Sequence, residues 1–221
     1  MSDSHLAAVE IRPRDVHRST LIWLHGLGAD GHDFEPIAKE LGLPENLGVR
    51  FIFPHGPYRA ITINGGYRMR AWYDIVRQDL SLFPDEAGIL ESRRSVSEVI
   101  AREIQCGVSP SRIILAGFSQ GGVIALDTAA HYSHTLGGVI ALSAYVAMPE
   151  HMPQASHSLP IFMAHGTQDP VVPYELGSSS CALLKAKGYD VEWHRYPIQH
   201  SVCREEITAI RDWLLRQLGE D

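Results

Sequence analysis

The sequence predicts an α/β fold in which a mostly parallel central sheet carries helices on both faces. Three observations predict it. Short apolar runs rich in Ile, Val and Leu recur along the chain, as strands buried on both faces require. Segments with helical spacing separate those runs with a regularity that implies strand–helix–strand units. One run, Arg112-Ile113-Ile114-Leu115-Ala116, breaks into Gly117-Phe118-Ser119-Gln120-Gly121-Gly122 and then resumes as a helix through Val123, Ile124, Leu126 and Ala130. That is a strand, a sharp turn and a helix with Ser119 at the apex, the context a G-x-S-x-G nucleophile elbow needs. A Gly-rich turn whose serine only caps the helix is the plainer alternative.

In chain order, residues 6–11 give a weak edge-strand pattern. Residues 20–24 form a buried strand running straight into His25-Gly26-Leu27-Gly28-Ala29-Asp30-Gly31. Three glycines indicate a backbone that approaches something closely. The loop lacks the Lys-Ser/Thr of a P-loop and does not fit G-x-G-x-x-G, so an oxyanion loop presenting the Leu27 N–H is favoured over a phosphate cradle. Asp33 is expected to cap a helix carrying Phe34, Ile37, Ala38 and Leu41. Residues 49–53 are the next strand. Residues 54–84 read as a long irregular segment rich in Gly, Pro, Arg and aromatics, of the kind used as a lid or binding loop. Its Trp72 and Tyr73 are candidate walls of a substrate site, with ordinary packing beneath a connection as the competing role.

Asp85 and Glu86 open a helix striped by Ile89, Val96, Val99, Ile100 and Ile104, and Gly107 ends it. After the elbow helix, residues 137–142 are a strand. The connection 143–158 brings Tyr145, Met148 and Met152, which suit either a variable apolar ligand surface or core filling. Residues 159–164 form a strand ending in His165-Gly166-Thr167-Gln168-Asp169-Pro170. Residues 174–187 are a helix and 191–196 a strand, and Ser201 is expected to cap a closing helix through Ile207, Ile210, Leu214 and Leu218.

Composition bounds what this fold can do. The 221 residues suit a single domain spanning 1–221 without a large cap, and 45% hydrophobic with 20% charged residues is ordinary globular usage. A net charge of −7, with no clustered Lys/Arg stripe, argues against nucleic acid or an anionic membrane surface as partner. Residues 1–5 are polar and lead into no secretory signal, and the longest apolar stretch, 137–148, is too short to span a bilayer, so no stable membrane insertion is expected. Cys106, Cys181 and Cys203 are odd in number and lack metal spacing. Reduced thiols in a cytoplasmic protein are the expectation, with no metal and no cofactor.

A serine hydroxyl needs a base to take its proton and a third group to hold that base in one tautomer. Ligands of such sheets sit beyond the carboxyl ends of the strands. Of twelve histidines, only His194 and His200 follow both the elbow and the later acidic candidates. His194 lies within the last strand, whereas His200 lies past its carboxyl end, which selects His200. Asp127, Asp190 and Asp212 sit on the elbow helix, at the wrong strand end and on the closing helix. Asp169 follows a strand's carboxyl end, with Glu150 and Glu175 displaced alternatives. The oxyanion would receive the N–H groups of Gln120 and Leu27.

Taken together, His25-Gly26-Leu27-Gly28-Ala29-Asp30-Gly31, Phe53-Pro54-His55-Gly56-Pro57, Thr62-Ile63-Asn64-Gly65-Gly66, Met69-Arg70-Ala71-Trp72-Tyr73-Asp74, the elbow and His165-Gly166-Thr167-Gln168-Asp169 resemble the acyl-protein thioesterase and small carboxylesterase family of α/β-hydrolases. The resemblance implies a Ser119, Asp169, His200 triad with an oxyanion hole at Leu27 and Gln120. It also implies hydrolysis of short to medium acyl oxyesters or thioesters, acylated proteins or lysophospholipids among them, and a homodimer. One departure is Gln199, where that family usually has glycine before the catalytic histidine. A peptidase, a true lipase and a non-catalytic binding module are the competing functions.

Overall fold

The computed structural model describes residues 6–77, 79–80, 84–155 and 158–219. In chain order the strands and helices are β1 (Ala8–Ile11), β2 (Ser19–Leu24), α1 (Ile37–Glu40), β3 (Val49–Pro54), β4 (Tyr58–Ile61), β5 (Tyr67–Arg70), α2 (Glu86–Gln105), β6 (Ile113–Phe118), α3 (Gln120–His131), β7 (Gly138–Leu142), β8 (Pro160–Gly166), α4 (Tyr174–Ala186), β9 (Asp190–Tyr196) and α5 (Arg204–Leu218). Seven strands form one sheet in the order β1-β3-β2-β6-β7-β8-β9. Only β1 runs antiparallel, against β3, and the other pairs are parallel. This is the α/β-hydrolase arrangement the sequence predicts.

Alternation along the strands sorts the core into two layers. Ile22, Leu24, Leu115, Val139 and Met163 face one layer, which α2, α3 and α4 cover with Ile100, Val123 and Leu184. Leu21, Trp23, Ile114, Ile140 and Phe162 face the other, which α1 and α5 close with Ile37, Trp213 and Leu214. A strand with both faces covered has no polar positions to alternate, hence the continuous apolar runs. Met148 and Met152 belong to the first layer, so they fill core.

Three local expectations need correction. Asp33 caps nothing: its N–H donates to Asp30 O in a turn, and α1 begins only after Pro36. Ser201 does not cap the closing helix, which starts at Arg204 with Cys203 at the boundary. The segment 54–84 holds more order than its composition suggests. Within it β4 and β5 pair antiparallel, Tyr58 opposite Arg70 and Ile61 opposite Tyr67, around a turn in which Gly65 and Gly66 take φ of 64° and 80°. Asp85 does cap α2, accepting from Gly88 N–H.

Candidate active site

The elbow is built by close backbone approach. A Cβ on Gly117 would lie 2.2 Å from Gly121 C, and one on Gly121 would lie 2.2 Å from Leu24 O. Only glycine lets α3 start so near β2 and β6. Between them Ser119 takes φ 54° and ψ −119°, a strained conformation for a side chain with a Cβ. Its N–H donates to Leu142 O at 2.8 Å, tying the apex to the end of β7. Ser143, the residue after Leu142, is the other non-glycine with positive φ among the described residues. It lies buried beside the elbow, a tight crossing that no sequence pattern flags.

Asp169 and His200 meet. The carboxylate is wholly buried and its Oδ1 accepts from Val171 N–H (2.8 Å) and Val172 N–H (2.9 Å). Its Oδ2 lies 2.7 Å from His200 Nδ1. An ionised carboxylate only accepts, so Nδ1 carries the proton and Nε2 is left as the basic nitrogen. The imidazole packs on Phe118, ring centroids 4.7 Å apart, which sets it against the residue preceding Ser119. Glu150 and Glu175 are both exposed.

Ser119, Leu27 and Gln120 share the wall of one cavity of about 460 Å³. Gln120 is the first residue of α3, where main-chain N–H groups have no partner within the helix and the helix dipole presents positive charge. In the loop after β2, Gly28 N–H donates to Arg70 O and Ala29 N–H to Gly26 O, while Leu27 N–H has no acceptor among the described residues. The rest of the wall is mostly apolar, with Ile63, Ile75, Val171 and Val172, plus Tyr73 and Tyr145.

Trp72 departs from its expected place. It is fully buried and absent from the cavity wall. Its indole N–H donates to His25 O and its main-chain N–H to Gln120 Oε1, while Ser92 Oγ donates to its carbonyl. Trp72 is a brace: together with Gln120 Nε2 donating to Tyr73 O, it ties the segment after β5 to the elbow.

Two buried histidines brace the loops, and the sequence showed them only as parts of motifs. Gly56 N–H donates to His25 Nε2 (2.9 Å), so His25 is protonated on Nδ1, which donates to Gly26 O (2.7 Å). Burial lowers its pKa and keeps it neutral. His165 Nε2 donates to Val172 O (2.9 Å), holding the cavity wall that follows Asp169, and burial lowers its pKa too. Gly177 makes room for that ring: a Cβ there would sit 2.3 Å from His165 Nδ1. Both cases were hidden because a histidine after a strand is equally consistent with catalysis.

The sequence profile of the phospholipase/carboxylesterase family matches residues 6–217. An acyl-protein thioesterase 1 from Neurospora crassa is 40% identical over 215 residues, covering 91% of this chain and 88% of its own. The carboxylesterase SOBER1 of Arabidopsis thaliana is 33% identical, and its crystal structure superposes with a TM-score of 0.84 over 91% of this chain and 99% of that one. A Zea mays acyl-protein thioesterase 2 superposes equally well, at 0.84 with 28% identity, covering 97% of this chain and all of its own. On sequence and structure alike, this chain belongs to the phospholipase/carboxylesterase family.

Proposed function

We propose that this chain hydrolyses carboxylic esters and thioesters of short to medium acyl groups, with Ser119 as nucleophile, His200 as general base and acid, and Asp169 as the group that orients the imidazole. The observation that carries the reading is a strained serine at the wall of a mainly apolar cavity, with a histidine against its neighbour Phe118 bonded at 2.7 Å to a buried carboxylate. Ser119 Oγ attacks the acyl carbon as His200 Nε2 takes its proton. The N–H groups of Leu27 and Gln120 bind the oxyanion. The proton passes to the departing alkoxide or thiolate, and water activated by the same nitrogen then releases the acid.

Tyr73 and Tyr145 are proposed to contact the acyl group. Acylated proteins are proposed as one substrate class, since relatives bear the name acyl-protein thioesterase. Three free thiols fit a cytoplasmic setting, and among the described residues no helix is long and apolar enough to cross a membrane. The test is hydrolysis of a chain-length series of 4-nitrophenyl esters and matched thioesters by the parent and Ser119→Ala. Turnover by the parent and its loss in the variant are expected. Equal turnover by both would remove the serine mechanism, and turnover by neither would favour a binding module.

A further inference from the structure

Apart from Ser119 and Gln120, the wall of the cavity carries polar side chains in one place. Tyr73 and Tyr145 both line it, both are almost fully buried, and their hydroxyls face each other at 3.5 Å. A good O–H···O bond spans about 2.7–2.8 Å, so this contact is a weak one. Among the described residues neither phenol has another hydrogen-bond partner. Two hydroxyls that share one bond leave at least one O–H without an acceptor. Burial raises the pKa of both groups, so both stay protonated as donors.

We propose that the Tyr73–Tyr145 pair selects acyl chains bearing an oxygen acceptor, an ether, carbonyl or hydroxyl oxygen, over saturated chains of equal length. A saturated chain filling the cavity strips water from the pair and offers nothing in return. A buried donor left unpaired is costly, whereas a chain oxygen at that depth accepts the free O–H. Pockets that hold an unpaired polar group discriminate against ligands lacking its partner far better than smooth apolar pockets discriminate by size. The inference rests on the hydrolase reading and narrows its substrate class.

The test uses 4-nitrophenyl octanoate and analogues in which each chain methylene in turn becomes an ether oxygen. For the parent, kcat/KM should exceed the octanoate value by about three- to tenfold at one oxygen position, the worth of one net hydrogen bond. In Tyr73→Phe/Tyr145→Phe, which keeps both rings, that ratio should fall to one or below while octanoate turnover improves. No oxygen position better than octanoate, or an unchanged ratio in the double variant, overturns the proposal. Hydrolysis of 4-nitrophenyl acetate by the parent but not by Ser119→Ala sustains the hydrolase reading whichever way the ratio falls. Binding of the same chains as N-methyl amides to Ser119→Ala, measured by calorimetry, reads the preference without chemistry. The same three- to tenfold difference is expected there, and equal affinities across the series count against the pair.

Discussion

Replacing Asp169 by Asn should inactivate the protein while leaving its fold intact, and the structure says why. Oδ1 accepts two main-chain N–H groups, from Val171 and Val172, and Oδ2 faces His200 Nδ1. An asparagine has one acceptor end and one donor end, and the two amides claim the acceptor. Turning the carboxamide round would leave both N–H groups unpaired, at about 1–3 kcal/mol each, or ~2–6 kcal/mol together. The NH2 group therefore faces His200 and forces its Nδ1 to accept, which moves the imidazole proton to Nε2, where a base is needed. Recovering the useful tautomer requires the flip, so kcat/KM should fall by about 10²–10⁴, taking each tenfold as about 1.4 kcal/mol. Because the loop keeps both amide bonds, the urea midpoint should hardly move. Steady-state hydrolysis of a 4-nitrophenyl ester together with a urea titration measures both quantities. A folded Asp169→Asn protein within tenfold of the parent would refute the orienting role.

Other expectations bear on the frame of the site. Glu206, buried under the start of α5, has its carboxyl pushed up to about 7 by burial, against which the Cys203 amide donates to it. The folded protein thus holds a proton that the unfolded chain has released, so stability is full at low pH, is lost as pH rises from the ordinary carboxylate range through about 7, and is level above. The loss is at most about 3 kcal/mol. Glu206→Gln keeps an acceptor for the Cys203 amide and should abolish that slope; urea unfolding at pH 5 and pH 8 would show the same slope in both proteins if the reasoning were wrong. Gly121→Ala drives a methyl into Leu24 O and should destabilise by about 3 kcal/mol or more, if it folds at all, read from the denaturation midpoint. Trp72→Phe removes the bond to His25 O and should cost about 1–3 kcal/mol with KM unchanged, because Trp72 does not reach the cavity; a large KM change would restore it to the wall.

The large features were legible because they are repeated. Buried parallel strands announce themselves as unbroken apolar runs, and the elbow announces itself by glycines that steric exclusion leaves no choice about. The meeting of Asp169 with His200 agrees with one topological rule, that ligands of such sheets bind beyond the carboxyl ends of the strands. Where reading failed, a local signal was outvoted by distant contacts. Asp33 has a good capping side chain, but the chain turns on Asp30 instead and the helix waits for Pro36. Trp72 looked like a substrate wall because aromatics serve sites and cores alike, and only its bonds to His25 and Gln120, 47 and 48 residues away, decide between them. The β4–β5 hairpin is hidden by its brevity: Tyr67-Arg68-Met69-Arg70 does alternate, but four-residue strands set among Gly, Pro and Arg read as loop.

The bond from Gly28 N–H to Arg70 O joins the loop after β2 to the hairpin main chain to main chain. Such a tie is indifferent to which side chains the hairpin wears. Tyr58 and Tyr67 are exposed, and with Arg68 and Arg70 they line a groove whose other wall is that same loop, from Gly28 to Asp30. Tyr58 and Tyr67 can be exchanged there without breaking that main-chain tie, whereas Arg70, whose guanidinium donates to Gly56 O, is part of the frame. The hairpin is therefore a place where the exposed surface can be rewritten, by mutation in the laboratory or in nature, with the loop after β2 still tied in place.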